Sequence, residues 1–221
     1  MDPGRQFPPD FKLILASQSP RRHSLLRDLG VPFTVASSDA DEALSGGDAA
    51  TLAQANAMAK VNGARLPVDI QPGTFVLGTD TIVTSEGRIM GKPASAAEAA
   101  DMLRALSGRT HQVVSGVALA RVSAQAPEQA GVEPPSRFAE MRVDAATTDV
   151  TFLALSDEGV RAYLDSGEWR GKAGGYAIQG LAALFVSNVC GEYSNVVGLP
   201  VCLLAHLFQE SGFDLLQGRW T

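Results

Sequence analysis

The apolar run Phe11-Lys12-Leu13-Ile14-Leu15-Ala16 gives way to Ser17-Gln18-Ser19-Pro20-Arg21-Arg22. His23-Ser24-Leu25-Leu26-Arg27-Asp28-Leu29 follows, with its leucines at helical spacing and Gly30 as a stop. A buried strand that feeds a helix through a short polar loop is the opening unit of an α/β domain. Ser19 reads as an N-cap, and Pro20 suits the first helical position, where its missing N–H removes no bond. Arg21 and Arg22 then fall in the first turn, at the positive end of the helix dipole, where acidic residues are usual. Two cations there oppose local stability unless an anion binds, because free backbone N–H groups, the dipole and two guanidinium forks converge on one point. The pattern points to a phosphate-binding loop; a solvated arginine pair is the competing reading.

The 221 residues suit one larger α/β domain or two small ones, with enough chain to bury a real core. The net charge of −6 and the lack of a lysine-rich stripe exclude the basic footprint of a non-specific nucleic-acid binder. A small polyanion is not excluded, since it needs only local cations, usually with a divalent metal. No apolar run is long enough to span a membrane. Residues 1–10 are polar and proline-rich and read as a loose, disordered tail, leaving 11–221 as a single domain. Cys190 and Cys202 lack metal-type spacing and are expected to be reduced and buried, in a cytoplasmic protein.

Strand and helix signals alternate along the chain. Short strands are expected at 33–36, 74–78 and 81–84, with Glu86-Gly87-Arg88 turning into Ile89-Met90. Residues 51–66 form an alanine-rich helix. Ser95-Ala96-Ala97-Glu98 is a capping box opening a helix through Leu106. Residues 111–122 and 138–155 are rich in β-formers, separated by a Pro/Ala/Gln/Glu-rich loop at 123–136. Ser156-Asp157-Glu158 caps a helix ending at Gly167, residues 183–189 and 196–197 read as closing strands, and 201–209 as a last helix. The expected architecture is a mixed twisted sheet with helices on both faces and two lobes around a central cleft.

Among candidate chemical groups, Asp80 lies inside an apolar strand, where a bare charge is costly and must be paired or metal-bound. Glu42 ends the acidic turn after a strand, and two such carboxylates suit a hard divalent cation. Lys60 lies on the alanine-rich helix, and Lys92 stands between Gly91 and Pro93 after a strand. Gly174-Gly175-Tyr176-Ala177-Ile178-Gln179-Gly180 suits recognition of a flat polar ring, since an amide both donates and accepts; a tight turn with Tyr176 in the core is the alternative. His111 reads as packing or capping. No Ser/His/Asp or Cys/His arrangement is legible, which argues against a covalent nucleophile.

Seven stretches together resemble the Maf family of nucleoside triphosphate pyrophosphatases. They are Ala16 to Arg22 with Leu25-Leu26, Asp41-Glu42, Gly78-Thr79-Asp80-Thr81, Gly91-Lys92-Pro93, Leu106 to His111, Lys172 to Gly180, and Tyr193 to Pro200. The resemblance implies a fold related to the inosine triphosphate pyrophosphatases. It also implies metal-dependent hydrolysis (Mg2+ or Mn2+) of a nucleoside triphosphate to the monophosphate and pyrophosphate. By motif, Asp80 matches the proton acceptor, and Glu42 a second acid sharing the metal with it. Lys60 and Lys92 match phosphate-side lysines, and Ser17, Arg21 and Arg22 the triphosphate loop. Arg22, Thr81 and Gln179 match the positions that mark the dTTP/UTP branch. An amide at 179 can pair with the O4 and N3–H edge of uracil or thymine, which a carboxylate cannot do. Glu168-Trp169-Arg170-Gly171-Lys172 departs from the family pattern, with Trp169 and Arg170 expected at the cleft edge or against a base. Homodimers occur in the family. A 7-methyl-GTP pyrophosphatase and a nucleotide-sensing, division-inhibiting binding protein are the rival readings.

Overall fold

Two long strands organise the molecule. The computed structural model describes residues 6–41, 43, 47–124 and 136–221. In chain order the elements are β1 (Leu13–Leu15), α1 (Pro20–Asp28), β2 (Thr34–Val35), α2 (Ala49–Asn62), β3 (Phe75–Ser85) and β4 (Arg88–Met90). They continue with α3 (Ala96–Leu106), β5 (Thr110–Val122), β6 (Phe138–Phe152), α4 (Asp157–Ser166), β7 (Val186–Cys190), α5 (Tyr193–Val197) and α6 (Val201–Glu210). A small ribbon of β8 (Phe213–Asp214) and β9 (Arg219–Trp220) follows. The sheet runs β2-β1-β3-β5-β6-β7, with β4 added to β3. β1 is parallel to β2 and β3, and the remaining pairs are antiparallel. The expected mixed sheet is borne out.

Alternation along β3 sends its residues to two different cores. Val76 and Ile82 face α2, in clusters with Ala53, Ala57 and Val61. Phe75 and Leu77 face the opposite way, into a cluster with Leu26 of α1 and Leu204 and Phe208 of α6. Val83 joins a separate cluster with Leu103 and Leu106 of α3 and Val160 and Tyr163 of α4. Helices therefore cover both faces, as expected, and the core divides into four apolar clusters.

Close approach of α2 to the sheet depends on two glycines. A Cβ on Gly78 would lie 2.4 Å from the Ala57 carbonyl, and one on Gly116 would lie 2.2 Å from the Ala53 carbonyl. Small residues on both surfaces bring the helix backbone almost onto the strands, which decides what the longer side chains of α2 can reach.

Several boundaries differ from expectation. The strands expected at 74–78 and 81–84 are one continuous β3, since β5 pairs with it throughout from Phe75 to Thr84. Helix α2 starts earlier, capped by Asp48, whose carboxylate accepts from Thr51 N at 2.8 Å. Val196 and Val197 lie in α5 rather than in a strand, and Leu181–Phe185 is a 3-10 turn before β7. Both cysteines are free thiols but exposed rather than buried, because β7 is an edge strand and Cys202 sits in the first turn of α6. Of the expected tail, residues 6–10 are described, and they pack: Phe7 stacks on Phe213, and Asp10 accepts from Trp220 Nε1 at 3.1 Å. Most of the 123–136 loop lies outside the described residues.

Candidate active site

Both β1 and β4 pair with the same edge of β3, at opposite ends. β1 covers Phe75 to Leu77 and β4 covers Val83 to Ser85. Between them, among the described residues, β3 has β5 on one side and no strand on the other. A cleft of about 460 Å³ opens at this gap, lined by the loop into α1, by Lys60, Asp80, Thr81 and Lys92, and by the segment 170–173. Its described lining carries Arg21, Arg22, Lys60, Lys92, Arg170 and Lys172 against one carboxylate, Asp80. A protein that is acidic overall thus holds a concentrated positive cavity, suited to a polyanion.

Asp80 is 5% exposed and points to the α2 side of β3. Its Oδ1 accepts from Lys60 Nζ at 2.7 Å, and its Oδ2 accepts from Asn56 Nδ2 at 2.9 Å. Lys60 Nζ also donates to the Thr79 carbonyl at 3.1 Å. Asn56 and Lys60 are one helical turn apart, so both reach the same carboxylate once Gly78 and Gly116 let α2 descend. The two donors fix the plane of the carboxylate. Asn56 does more: its Oδ1 accepts from Ala43 N at 2.9 Å and its Nδ2 donates to Ala43 O at 3.0 Å, holding the Ala43 backbone near Asp80. Sequence reading missed Asn56; the legible signal was a polar residue four positions before Lys60 on an otherwise alanine-rich helix. Glu42 lies outside the described residues.

Arg22 and Thr81 meet on the opposite face of β3. Arg22 donates through Nε to Gly198 O at 2.8 Å, through Nη1 to Ser17 Oγ at 3.0 Å and through Nη2 to Thr81 Oγ1 at 3.2 Å. Thr81 Oγ1 also bonds Ser115 Oγ at 2.9 Å, and Ser115 Oγ donates to the Asn195 carbonyl at 3.3 Å. Arg22 therefore ties the phosphate loop, the central strand and α5 into one wall. Arg21 bonds Val197 O at 3.1 Å through Nε and lines the cleft; burial draws its pKa down, offset in part by Tyr163. Ser19 occupies the N-cap, but its side chain makes no cap bond and no acidic residue stands in the first turn of α1. The start of that helix is open to a ligand.

The opposite wall comes from the segment after α4. Lys172 lines the cleft, and its pKa is lowered by burial and then by the nearby Arg21 charge, a repulsion that a bound anion would relieve. Tyr176 packs in the core, its phenol pushed up by burial and bonded to His111 Nε2 at 2.8 Å. Tyr163 Oη accepts from Ala177 N at 3.1 Å and pins the same segment. Tyr176 and Ile178 turn inward, and that alternation leaves Gln179 exposed and outside the cleft lining. The structure thus brings Ser17, Arg21, Arg22, Lys60, Asp80, Thr81 and Lys92 together, and does not bring Gln179 to them. Trp169, expected at the cleft edge or against a base, is instead buried in the core, with Nε1 donating to Leu164 O at 3.2 Å; Arg170, given the same expectation, lines the cleft.

The donor chemistry fits a hard divalent cation: among the described residues, Asp80 is the cleft's carboxylate and no Cys or His lines it. No group of three or more His, Cys, Asp or Glu residues able to hold a metal occurs among the described residues. Among the described residues, a cation here would take Asp80 together with oxygens of the ligand.

The model of the family described as Maf-like protein matches residues 12–211. A dTTP/UTP pyrophosphatase of Symbiobacterium thermophilum is 42% identical over 208 residues, covering 94% of this chain and 97% of that protein. The dTTP/UTP pyrophosphatase of Moorella thermoacetica is 44% identical over 205 residues, covering 92% and 97%. That of Nitrobacter hamburgensis is 40% identical over 213 residues, covering 94% and 95%. Among solved structures, the Staphylococcus aureus Ham1 protein aligns over 64% of this chain and 71% of that one, at 16% identity and a TM-score of 0.36, too low to bear on the fold.

Proposed function

The chain belongs to the Maf family, and from that premise we infer that it hydrolyses nucleoside triphosphates, dTTP and UTP foremost, to the monophosphate and pyrophosphate. One observation carries the reading: a buried carboxylate, Asp80, oriented by Lys60 and Asn56 at a gap in the sheet, faces a cleft ringed by cations. A purely binding site for a triphosphate has no use for an oriented carboxylate among those cations. The pyrimidine preference is supported by the relatives named for dTTP and UTP, not by the position of Gln179.

In this reading the triphosphate lies along the loop Ser17 to Arg22, its charge met by the open N-terminus of α1, by Arg21 and by Lys92. Arg22 and Thr81 hold the wall rigid against it. Asp80 accepts the proton of the attacking water, which displaces pyrophosphate at the α-phosphorus. Lys60 and Asn56 keep that carboxylate aimed. Lys92, with Arg21, offsets the charge that grows on the departing pyrophosphate. A divalent cation, when held by Asp80 and Glu42, supplies Lewis-acid stabilisation of phosphate oxygens. No helix among the described residues is long and apolar enough to cross a membrane, and we place this house-cleaning role in the cytoplasm.

Pyrophosphate release from dTTP, UTP, CTP, GTP and 7-methyl-GTP, with Mg2+ or Mn2+, tests the reading. Selective conversion of dTTP and UTP to monophosphates is expected. Preferred turnover of 7-methyl-GTP would overturn the substrate assignment, and tight binding without turnover would make the protein a nucleotide sensor.

A further inference from the structure

Arg170 belongs to none of the networks above. It follows α4 in the turn that leads to Lys172 and lines the cleft while largely exposed. Its guanidinium carbon lies 4.8 Å from the centroid of the Trp169 ring. That indole is buried and held by its own hydrogen bond to Leu164, so it forms a fixed shelf. Gly167 completes the seat, since a Cβ there would come within 2.3 Å of Arg170 Nη1. The backbone is held as well: Arg170 N donates to Gly167 O at 3.2 Å, and Arg170 O accepts from Lys172 Nζ at 3.0 Å.

The charge at this end of the cleft is only partly compensated: Glu168 draws the Lys172 pKa up, but burial and Arg21 leave it lowered. Among the described residues the Arg170 guanidinium makes no hydrogen bond and no ion pair. Glu168, the nearby carboxylate, instead accepts from Leu181 N at 2.8 Å. Lys172 and Arg21 are close enough for Arg21 to lower the Lys172 pKa. An arginine stacked on an aromatic face has lost much of its rotamer freedom, while its N–H edge stays free for oxygen acceptors. Beside two more cations, the ligand group that edge suits is a phosphate, not a neutral base.

Building on the function proposed above, we propose that Arg170, seated on Trp169, is a substrate-binding residue for the β- and γ-phosphates. It grips the part that leaves as pyrophosphate and favours a polyphosphate over a monophosphate.

Calorimetric titration with inorganic tripolyphosphate and, separately, with UMP tests this in the wild type, Arg170→Gln and Arg170→Lys. Thermal melts check that each variant folds. Arg170→Gln is expected to weaken tripolyphosphate binding by about tenfold or more, the scale of a lost charged hydrogen bond, with UMP binding unchanged. Arg170→Lys falls between. In turnover, KM for UTP rises while kcat stays near the wild-type value. Unchanged tripolyphosphate affinity in Arg170→Gln, or no such binding by the wild type, overturns the assignment. An equal loss for UMP overturns it too and moves Arg170 to the nucleoside end. A wild type that binds tripolyphosphate in the Arg170-dependent way yet cleaves no nucleotide would defeat the proposed reaction and leave Arg170 in place.

Discussion

Asp80 and Lys60 form a buried ion pair whose members cannot be exchanged singly. Asp80→Asn removes the proton acceptor and breaks the buried pair with the Lys60 ammonium. Turnover is expected to fall by about 10²- to 10⁴-fold. Stability should drop by about 3 kcal/mol, the scale of a broken buried pair, which urea unfolding reads directly. Near-normal turnover in that variant would remove Asp80 from the chemistry. Asn56→Asp is the complementary probe. It replaces the amide donor to Asp80 Oδ2 with an acceptor, so the carboxylate loses one of the two bonds that orient it. Turnover is expected to fall by about tenfold, the scale of one lost charged hydrogen bond; an unchanged kcat would show that Asn56 does not orient Asp80.

At the scale of elements, α2 matters through its distance from the sheet. Gly116→Ala would place a methyl group 2.2 Å from the Ala53 carbonyl, which is backbone and cannot rotate away. The helix must lift, so Asn56 and Lys60 lose their hold on Asp80. The expected result is a loss of about 1–3 kcal/mol from overpacking, with a fall in kcat larger than unfolding explains at a temperature where the variant stays folded. Unimpaired kcat in a destabilised variant would separate packing from catalysis. Element boundaries were legible where a side chain closes them. Ser95 accepts from Glu98 N at 3.2 Å and Ser156 accepts from Gly159 N at 3.1 Å, as those sequences suggest. The reciprocal Glu98 bond goes to Ala94 N, one residue before the cap. Where strand and helix propensities are close, as at Val196 and Val197, tertiary context decided: Asn195, fully buried between β5 and β6, donates to Val113 O at 3.0 Å and to Ala146 O at 3.2 Å, fastening α5 onto the sheet.

For the molecule as a whole, His111 links the long strand β5 to the Tyr176 segment and is buried between Phe152 and Tyr176. Burial pulls its pKa from 6.5 to about 4. The unfolded chain therefore binds a proton that the folded protein refuses throughout that interval. Stability from this group is fully present above about pH 6.5 and is lost as pH falls toward 4, by about 3 kcal/mol in total. Thermal melts from pH 7 to pH 4.5 should show a falling Tm. The slope is expected to be smaller in His111→Gln, and an equal slope in both proteins would assign the acid sensitivity elsewhere.

The sequence alone determined what is local or carried by residue type. The phosphate loop, the capped helices, the alternation of strands and helices, and the cations and carboxylate of the site all depend on chemistry within a few residues or within short motifs. It could not determine what depends on which face a residue turns to when distant segments pack. Asn56 enters the site because two glycines on different strands admit α2 to the sheet. Gln179 stays outside because Tyr176 and Ile178 claim the core. Trp169 becomes a buried shelf rather than a base platform, since α4 and the segment after it close over its ring. The cleft itself is a tertiary product: β1 and β4, far apart in sequence, pair with one edge of β3 and leave a gap at Asp80.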